Sequence, residues 1–369
     1  MSFTIYLHDE CASSTVHSFC LAFRMSTPNQ ALATAARLHQ AQLTKPQGSL
    51  GKLEELAIWF AARSNSAMPS RLQAAIVVFA ADHGVASEGV SAFPAEVTGQ
   101  MVANFVAGGA AISVLAREAG ASLSVVDVGV ASHYAVTAGS SAQLFRVPVR
   151  AGTANLRLEP AMSEQECNKA WTIGVGSAQE GLVRSKTLLI GGEMGIGNTT
   201  AAAALICALT DIDPTEIVGL GTGISAQSRE NKVQVVKDAL ARARAAGAVT
   251  AKDWLMQVGG LEIAALAGFY TGAAEVGIPV LLDGFITTAA ALVAVKNKPE
   301  VADWLLASHC SDEKGHRHAL AALQLEPILQ LGLRLGEASG AALTLPLIQS
   351  ALALHRDMAT FSSAGITTK

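Results

Sequence analysis

Hydrophobic positions along the chain fall into two patterns, short unbroken runs and longer stretches with helical spacing. This is how strands covered on both faces, and the helices that cover them, read in sequence. Residues 74–81 (AAIVVFAA) form a β-branched run of strand length, and residues 123–130, 144–149 and 279–283 (PVLLD) read the same way. So do the apolar residues 187–190, which break into glycines, and residues 217–224 (IVGLGTGI), which carry a second glycine cluster. Helical spacing occupies residues 31–43, 50–63, 95–106, 110–119, 162–184, 199–210, 226–245 and 341–355, and further helices open near Glu262 and Gly284.

Local signals divide these elements. Ser-Thr-Pro-Asn after Met25 is a helix-start composition, whereas residues 1–24 lack periodicity, a basic leader region and a small-residue cleavage pattern, and are expected to be a peripheral extension. Pro46 and Gly48 separate two helices, and Ser49 is placed to cap the second. Polar or glycine-bearing segments recur after the candidate strands, with helices between them. That alternation predicts an α/β fold, a Rossmann-like doubly wound parallel sheet of about six strands. The helical segments at the two ends carry no strand pattern and are expected to form a small domain together. The expected partition is 1–24 (extension), 25–66 (first part of the small helical domain), 67–325 (large α/β domain) and 326–369 (the loop that bears Glu337 and a C-terminal helix completing the small domain).

Composition narrows the function. Half of the residues are hydrophobic (50%), few are aromatic (5%), and Ala and Gly are abundant, as in helices packed closely on a parallel sheet. The formal net charge of -4 comes from interspersed charges without a basic block, so no nucleic-acid partner is expected. The uncharged runs at 199–210 and 286–295 fall short of the ~20 residues that span a bilayer, so they read as buried helices. The five cysteines are widely spaced, without a Cys-x-x-Cys pair, which fits free thiols in a reducing cytoplasm. Among nine histidines only His316 and His318 are close, and on a helix they would point to different faces, so no metal site is expected.

The chemistry is expected at the strand ends. Gly191, Gly192, Gly195 and Gly197 allow a sharp turn and bring backbone N–H groups near an anion at a helix N-terminus. The spacing matches neither a Walker loop nor Gly-x-Gly-x-x-Gly, and Glu193 is the one charge within it, better suited to a sugar hydroxyl or a developing positive charge than to a phosphate. Asp82 and His83 follow one candidate strand and Asp283 another, where open α/β sheets bind ligands. Gly219, Gly221 and Gly223 could approach the same ligand, Lys232 is a candidate phosphate cation, and Glu337 precedes the last helix. Each has a plain alternative: a tight turn, a structural hydrogen bond, a solvated lysine, a carboxylate on a helix dipole.

Taken together, Lys45-Pro-Gln-Gly-Ser-Leu-Gly51, Ala81-Asp-His-Gly84, Gly191-Gly-Glu-Met-Gly-Ile-Gly-Asn-Thr-Thr200, Val280-Leu-Leu-Asp-Gly-Phe285 and Arg334-Leu-Gly-Glu337 resemble the nicotinate-nucleotide:dimethylbenzimidazole phosphoribosyltransferase family, in order and spacing, over roughly residues 27–365. The resemblance implies transfer of phosphoribosyl from nicotinate mononucleotide to a benzimidazole-type base in cobalamin assembly, by a homodimer that uses no cofactor. It implies Glu337 as the catalytic carboxylate and Glu193 as a second acid beside the ribose. Around the nucleotide phosphate it implies Gly195, Ile196, Gly197, Asn198, Gly221, Gly223, Lys232 and Ser311, and at the base Asp82, His83, Phe93, Met101 and Leu335. Three positions depart from the family pattern: Phe93 and Met101 stand where some members carry Ser and Gln, and Ala338 replaces a common Gly. The competing readings are a nucleoside phosphorylase or hydrolase, and a non-catalytic nucleotide sensor on the same kind of fold.

Overall fold

The computed structural model describes residues 27–136, 141–179, 185–221, 223 and 225–367, so the expected extension at 1–24 lies outside the described residues, as do 180–184 of the helix expected over 162–184. The chain opens with helices α1 (Gln30–Gln40) and α2 (Lys52–Arg63) and enters strand β1 (Ala74–Ala81). Helices α3 (Val97–Ala107) and α4 (Ala111–Ala119) lead to β2 (Ser122–Gly129) and β3 (Gln143–Arg146). Then come α5 (Glu164–Gln179), β4 (Leu188–Met194), α6 (Asn198–Thr210), the short α7 (Pro214–Ile217), α8 (Ala226–Ala245), α9 (Ala251–Val258) and α10 (Leu261–Glu275). The last third holds β5 (Val280–Leu282), α11 (Phe285–Asn297), β6 (Leu305–Ala307), α12 (His316–Ala322), α13 (Ser339–Asp357) and α14 (Phe361–Ala364).

The six strands form one sheet in the order β3-β2-β1-β4-β5-β6, and each neighbouring pair is parallel. This is the doubly wound order, with its switch point between β1 and β4. All eight residues of β1 are buried and divide between two cores. Ala75, Val77 and Phe79 join a core with α6, α8, α10 and α11, while Ala74, Ile76, Val78 and Ala80 join another with α2, α3, α4 and α13. Burial on both faces explains why the run lacks polar alternation.

Two expectations fail. Residues 217–221 are the end of α7 and a turn rather than a strand, with Gly221 at φ +53° and Gly223 at φ +98°. The sixth strand is instead β6, three residues whose partner is β5. Ser49 makes no cap for α2; Gly51 at φ +51° is the N-cap, and the turn before it is pinned by a buried Lys45–Glu54 ion pair of 2.8 Å. Asn29 does cap α1, its side chain accepting from Ala31 N and Leu32 N. The two end segments touch: Gln40 Nε2 lies 2.8 Å from His355 Nδ1 and Thr44 N donates to Ala359 O. By length and composition Val97–Ala119 could cross a bilayer, but Gly108 at φ +88° divides it into α3 and α4, each too short to do so. Cys167, Cys207 and Cys310 are free and buried, and burial pushes the first two thiols up to about 11 and about 12.

Helix α10 is apolar around nearly its whole circumference because it lies on the sheet and is itself covered by α5. Gly174 makes that contact close: a β-carbon there would lie 2.7 Å from the Ala265 carbonyl carbon and 2.8 Å from Phe269 N. Helix propensity favours Ala over Gly by about 1 kcal/mol, but backbone cannot yield as a side chain can, and overpacking costs about 1–3 kcal/mol. Gly174→Ala is therefore expected to lower the denaturant midpoint. An unchanged or higher midpoint would show that the two helices have slack.

Candidate active site

The switch point gathers three chain segments because glycines let them approach. Within β4, a β-carbon on Gly192 would lie 2.9 Å from the Ala338 Cβ and 3.0 Å from the Glu337 carbonyl carbon, so the segment before α13 rests directly on the strand. Gly195 sits under the His83 ring, with 3.3 Å from such a carbon to Nε2, and Gly197, at φ +100°, is the N-cap of α6. The sequence suggested that these glycines allow a sharp turn and bring backbone N–H groups near an anion. Gly192 and Gly195 also accommodate other parts of the protein, and Gly197 supplies the left-handed residue that starts the helix.

This approach places three carboxylates together. Glu193, at the end of β4, accepts from Asn198 Nδ2 on one oxygen and from Glu337 N on the other, at 3.4 Å. Gly336, Glu337 and Ala338 are consecutive left-handed residues at φ +84°, +63° and +71°. That conformation costs an L-residue about 1–2 kcal/mol. Asp283, one residue past β5, holds it by accepting from Ala338 N (3.1 Å) and Ala341 N (2.9 Å). Hydrogen bonds to a charged group contribute about 1.5–3 kcal/mol each, enough to offset the strain at Glu337 and Ala338. Ala338, one of the residues expected to depart from the family pattern, thus adopts the geometry a Gly would take freely.

Burial sets the protonation. It lifts Asp283 to about 7 against the pull of the Ala341, Gly340 and Ala338 N–H groups, and lifts Glu337 to about 7 with a further push from Asp283. Glu193 lies well above the ordinary carboxylate range, first through burial and then through the charges of Asp283 and Glu262. The trio does not carry its full negative charge at neutral pH. Among the described residues, Glu337 Oε2 is buried without a hydrogen-bond partner.

A cation lies at the start of α6. Lys232 on α8 is 1% exposed, which removes the solvated-lysine alternative. Its Nζ donates to Thr199 Oγ1 (2.7 Å), and a β-carbon on Gly221 would lie 3.0 Å from both atoms. Burial pushes this ammonium down to about 8, opposed by Glu313. Arg334 Nη1 donates to Gly221 O (3.0 Å), and Arg229 Nε to Val218 O (2.9 Å). These bonds fasten the second glycine turn to α8 and to the segment carrying Glu337. Ser311 is buried, and its hydroxyl accepts from Glu313 N (3.3 Å).

The expected base residues are less tightly gathered. Asp82 is buried, with Oδ2 accepting from Ala131 N (2.8 Å) and Oδ1 without a hydrogen-bond partner among the described residues. His83 Nε2 is 2.7 Å from Glu262 Oε1, both side chains fully buried, so the ring braces the glycine loop against α10. Phe93 (52% exposed) and Leu335 (57%) are open to solvent, while Met101 packs on the core beneath α3. Ile196 donates its backbone N–H to Thr98 Oγ1 (3.1 Å). Sequence reasoning missed Glu262 and the clamping role of Asp283. A carboxylate in an otherwise apolar buried helix was the available sign for the first.

Glycine turns, a buried lysine and three clustered carboxylates thus lie together at the switch point of a doubly wound sheet, where open α/β enzymes bind their ligands. The phosphoribosyltransferase family model matches residues 25–366. A nicotinate-nucleotide–dimethylbenzimidazole phosphoribosyltransferase of Chromobacterium violaceum is 53% identical over 335 residues, 91% of this chain and 96% of that protein. The enzyme of the same name from Pseudomonas fluorescens is 50% identical over 350 residues, 95% of this chain and 97% of that protein. The crystal structure of the Thermus thermophilus enzyme of that name superposes with a TM-score of 0.85 at 44% identity, covering 92% of this chain and all (100%) of that one. The chain belongs to the nicotinate-nucleotide:dimethylbenzimidazole phosphoribosyltransferase family.

The contact of Gly192 with Glu337 and Ala338 generates a test. A methyl group there must displace the backbone of the Glu337 turn, and a shift of ~1 Å in a catalytic group can cost about 10²-fold in rate. Gly192→Ala is expected to keep the circular-dichroism spectrum of the fold and to lower kcat by at least ~10-fold. Wild-type turnover would show that the turn tolerates displacement.

Proposed function

We infer that this protein transfers the 5-phosphoribosyl group of nicotinate mononucleotide to 5,6-dimethylbenzimidazole or a related base, yielding α-ribazole 5′-phosphate and nicotinate for cobalamin assembly. The observation that carries the residue assignment is Glu337: a buried carboxylate whose Oε2 lacks a hydrogen-bond partner among the described residues and whose proton affinity lies near neutrality. Such a group is poised to accept a proton at physiological pH. The names of the relatives favour this activity over a phosphorylase, a hydrolase or a sensor.

The chemistry fits the residue types. The C1′–N bond to the cationic pyridinium breaks with its electron pair going to the ring nitrogen, so the ring leaves neutral and no metal is needed for its departure. A base nitrogen bonds C1′ from the opposite face, inverting the β nucleotide to an α product, and the proton on the base's other nitrogen passes to Glu337. Glu193 stands beside Glu337, where positive charge develops on the sugar. Burial raises the proton affinity of Glu193, and an adjacent cation favours its ionised form. Lys232, the second glycine turn with Gly221 and Gly223, Ser311 and the Gly195–Asn198 loop take the 5′-phosphate in this reading. Asp82, His83, Phe93, Met101 and Leu335 surround the base, with Phe93 and Met101 offering apolar area in place of hydrogen bonds. Apolar contacts discriminate by only about 1–3 kcal/mol per methyl group, so several flat azoles are expected to be accepted.

We also read the protein as a cytoplasmic homodimer whose helices at both ends form a small domain. The free, buried thiols fit a reducing compartment. Apolar side chains left exposed on two packed helices, Val114 on α4 with Leu343 and Leu354 on α13, fit a partner surface.

The decisive experiment compares two variants. Glu337→Gln keeps the shape and removes the base, so kcat should fall by roughly 10²–10⁴ with nucleotide affinity little changed. Lys232→Ala removes a phosphate contact present in ground and transition states, so it should chiefly raise the KM for nicotinate mononucleotide. Near-normal turnover in the Gln variant rejects Glu337 as the base.

The pH profile offers an independent check, because kcat/KM reports the groups of the free enzyme. Glu337 must be deprotonated to act, so activity should fall as pH drops below about 7. Lys232 must be protonated to attract the phosphate, so kcat/KM for the nucleotide should fall as pH rises above about 8. The expected profile at saturating base is a narrow bell. An acid limb that persists unchanged in Glu337→Gln would assign it to another group.

A further inference from the structure

Resting on the reading of Ser311 as a phosphate contact, we propose that His316 is the positioning residue for that end of the site, holding the Ser311 hydroxyl toward the nucleotide through a single hydrogen bond to the Ser311 backbone. His316 opens α12 and is 0% exposed. Its Nδ1 lies 2.8 Å from Ser311 N. A backbone N–H can only donate, so Nδ1 must be bare and the ring proton must sit on Nε2. Nε2 then donates to Thr288 Oγ1 (2.9 Å), and Thr288 donates in turn to Gly284 O (2.7 Å). One obligatory donor thus fixes the direction of the whole relay.

The same inventory assigns the Ser311 hydroxyl. Its backbone N–H is consumed by His316, and its Oγ accepts from Glu313 N (3.3 Å). Among the described residues none accepts the hydroxyl's own proton, which leaves it as a donor for an anion. Without an acceptor at Nδ1 the buried Ser311 N–H would seek another partner, and the hydroxyl would turn with it. The ring itself stays neutral: burial, then the neighbouring His309 ring 6.1 Å away, push His316 down to about 3. The relay ends at Gly284, beside Asp283, so both ends of the substrate are positioned from one strand end.

The test separates positioning from stability. His316→Leu is expected to raise the KM for nicotinate mononucleotide by about tenfold while kcat changes by less than about threefold. The dephosphorylated substrate, nicotinate riboside, should react equally well with wild type and variant. His316→Asn, whose amide can both accept and donate, should recover part of the loss. Equal losses on both substrates, or an unchanged nucleotide KM, would overturn the assignment. Should the Leu variant fail to fold, ¹⁵N-histidine spectra of the wild-type protein, assigned through His316→Asn, decide: a neutral Nε2–H ring across about pH 5–9 is expected, and an Nδ1–H ring or an imidazolium would refute the relay. Ser311→Ala guards the underlying reading. If it raises the nucleotide KM and His316→Leu does not, the positioning role alone fails; if neither does, the phosphate assignment of Ser311 has failed.

Discussion

Withdrawing several carboxylates from water in one place is the constraint around which the rest of the structure is arranged. Glu193, Asp283 and Glu337 are all buried, and each is raised above its ordinary range mainly for that reason. Buried charge without a partner is costly, so such a cluster persists only if the fold over-determines it. β4 and β5 supply the first two from neighbouring strand ends, and the backbone N–H groups opening α13 meet Asp283. Among the described residues, the oxygen of the trio that remains buried without a partner is Glu337 Oε2, the atom to which the proposed mechanism assigns the proton. In that mechanism structural and chemical demand divide the trio between them, with Asp283 serving mostly the first and Glu337 the second.

Much of this was legible in the sequence, for identifiable reasons. β1 could be recognised because Ile76, Val77, Val78 and Phe79 are strand formers at the centre of an unbroken apolar run of strand length, and α6 because it follows glycines and runs apolar. The turn at 217–221 was misread because Ile217 and Val218 resemble a strand entrance. The geometry that decides otherwise is tertiary: Arg229, Arg334 and Lys314 bind the carbonyls of Val218, Gly221 and Thr215. β6 escaped notice because Leu305–Ala307 is short and has no β-branched residue, and its position comes from pairing with β5.

The site was legible to the extent that chemistry leaves single residues in odd company. Glu193 within glycines and Glu337 before an apolar helix stood out, and the structure brings them within one hydrogen bond of each other. Lys232 was a candidate phosphate cation from the sequence, but its burial was not legible, since nothing local distinguishes a buried ammonium from a solvated one. Glu262 and His316 were invisible as functional candidates because their partners, His83 and Ser311, come from other elements. A relay defined by which atom must donate is a property of three-dimensional pairing, and no spacing encodes it.

Charge placement also orients the substrate in the proposed mechanism. Lys232 and the carboxylate trio sit at different ends of one site, linked through Thr199 and the first turn of α6. A nucleotide with an anionic phosphate and a cationic ring is oriented by that separation before any shape is read. When the C1′–N bond breaks, the pyridinium loses its positive charge while the nicotinate keeps its own carboxylate. The leaving ring therefore changes from a zwitterion attracted to Glu193 into an anion facing buried carboxylates. Once bond transfer is complete the ring has lost the positive charge, and with it the attraction to Glu193 that the desolvated site strengthened. One feature of the fold thus favours both entry of the cationic substrate and departure of the anionic product.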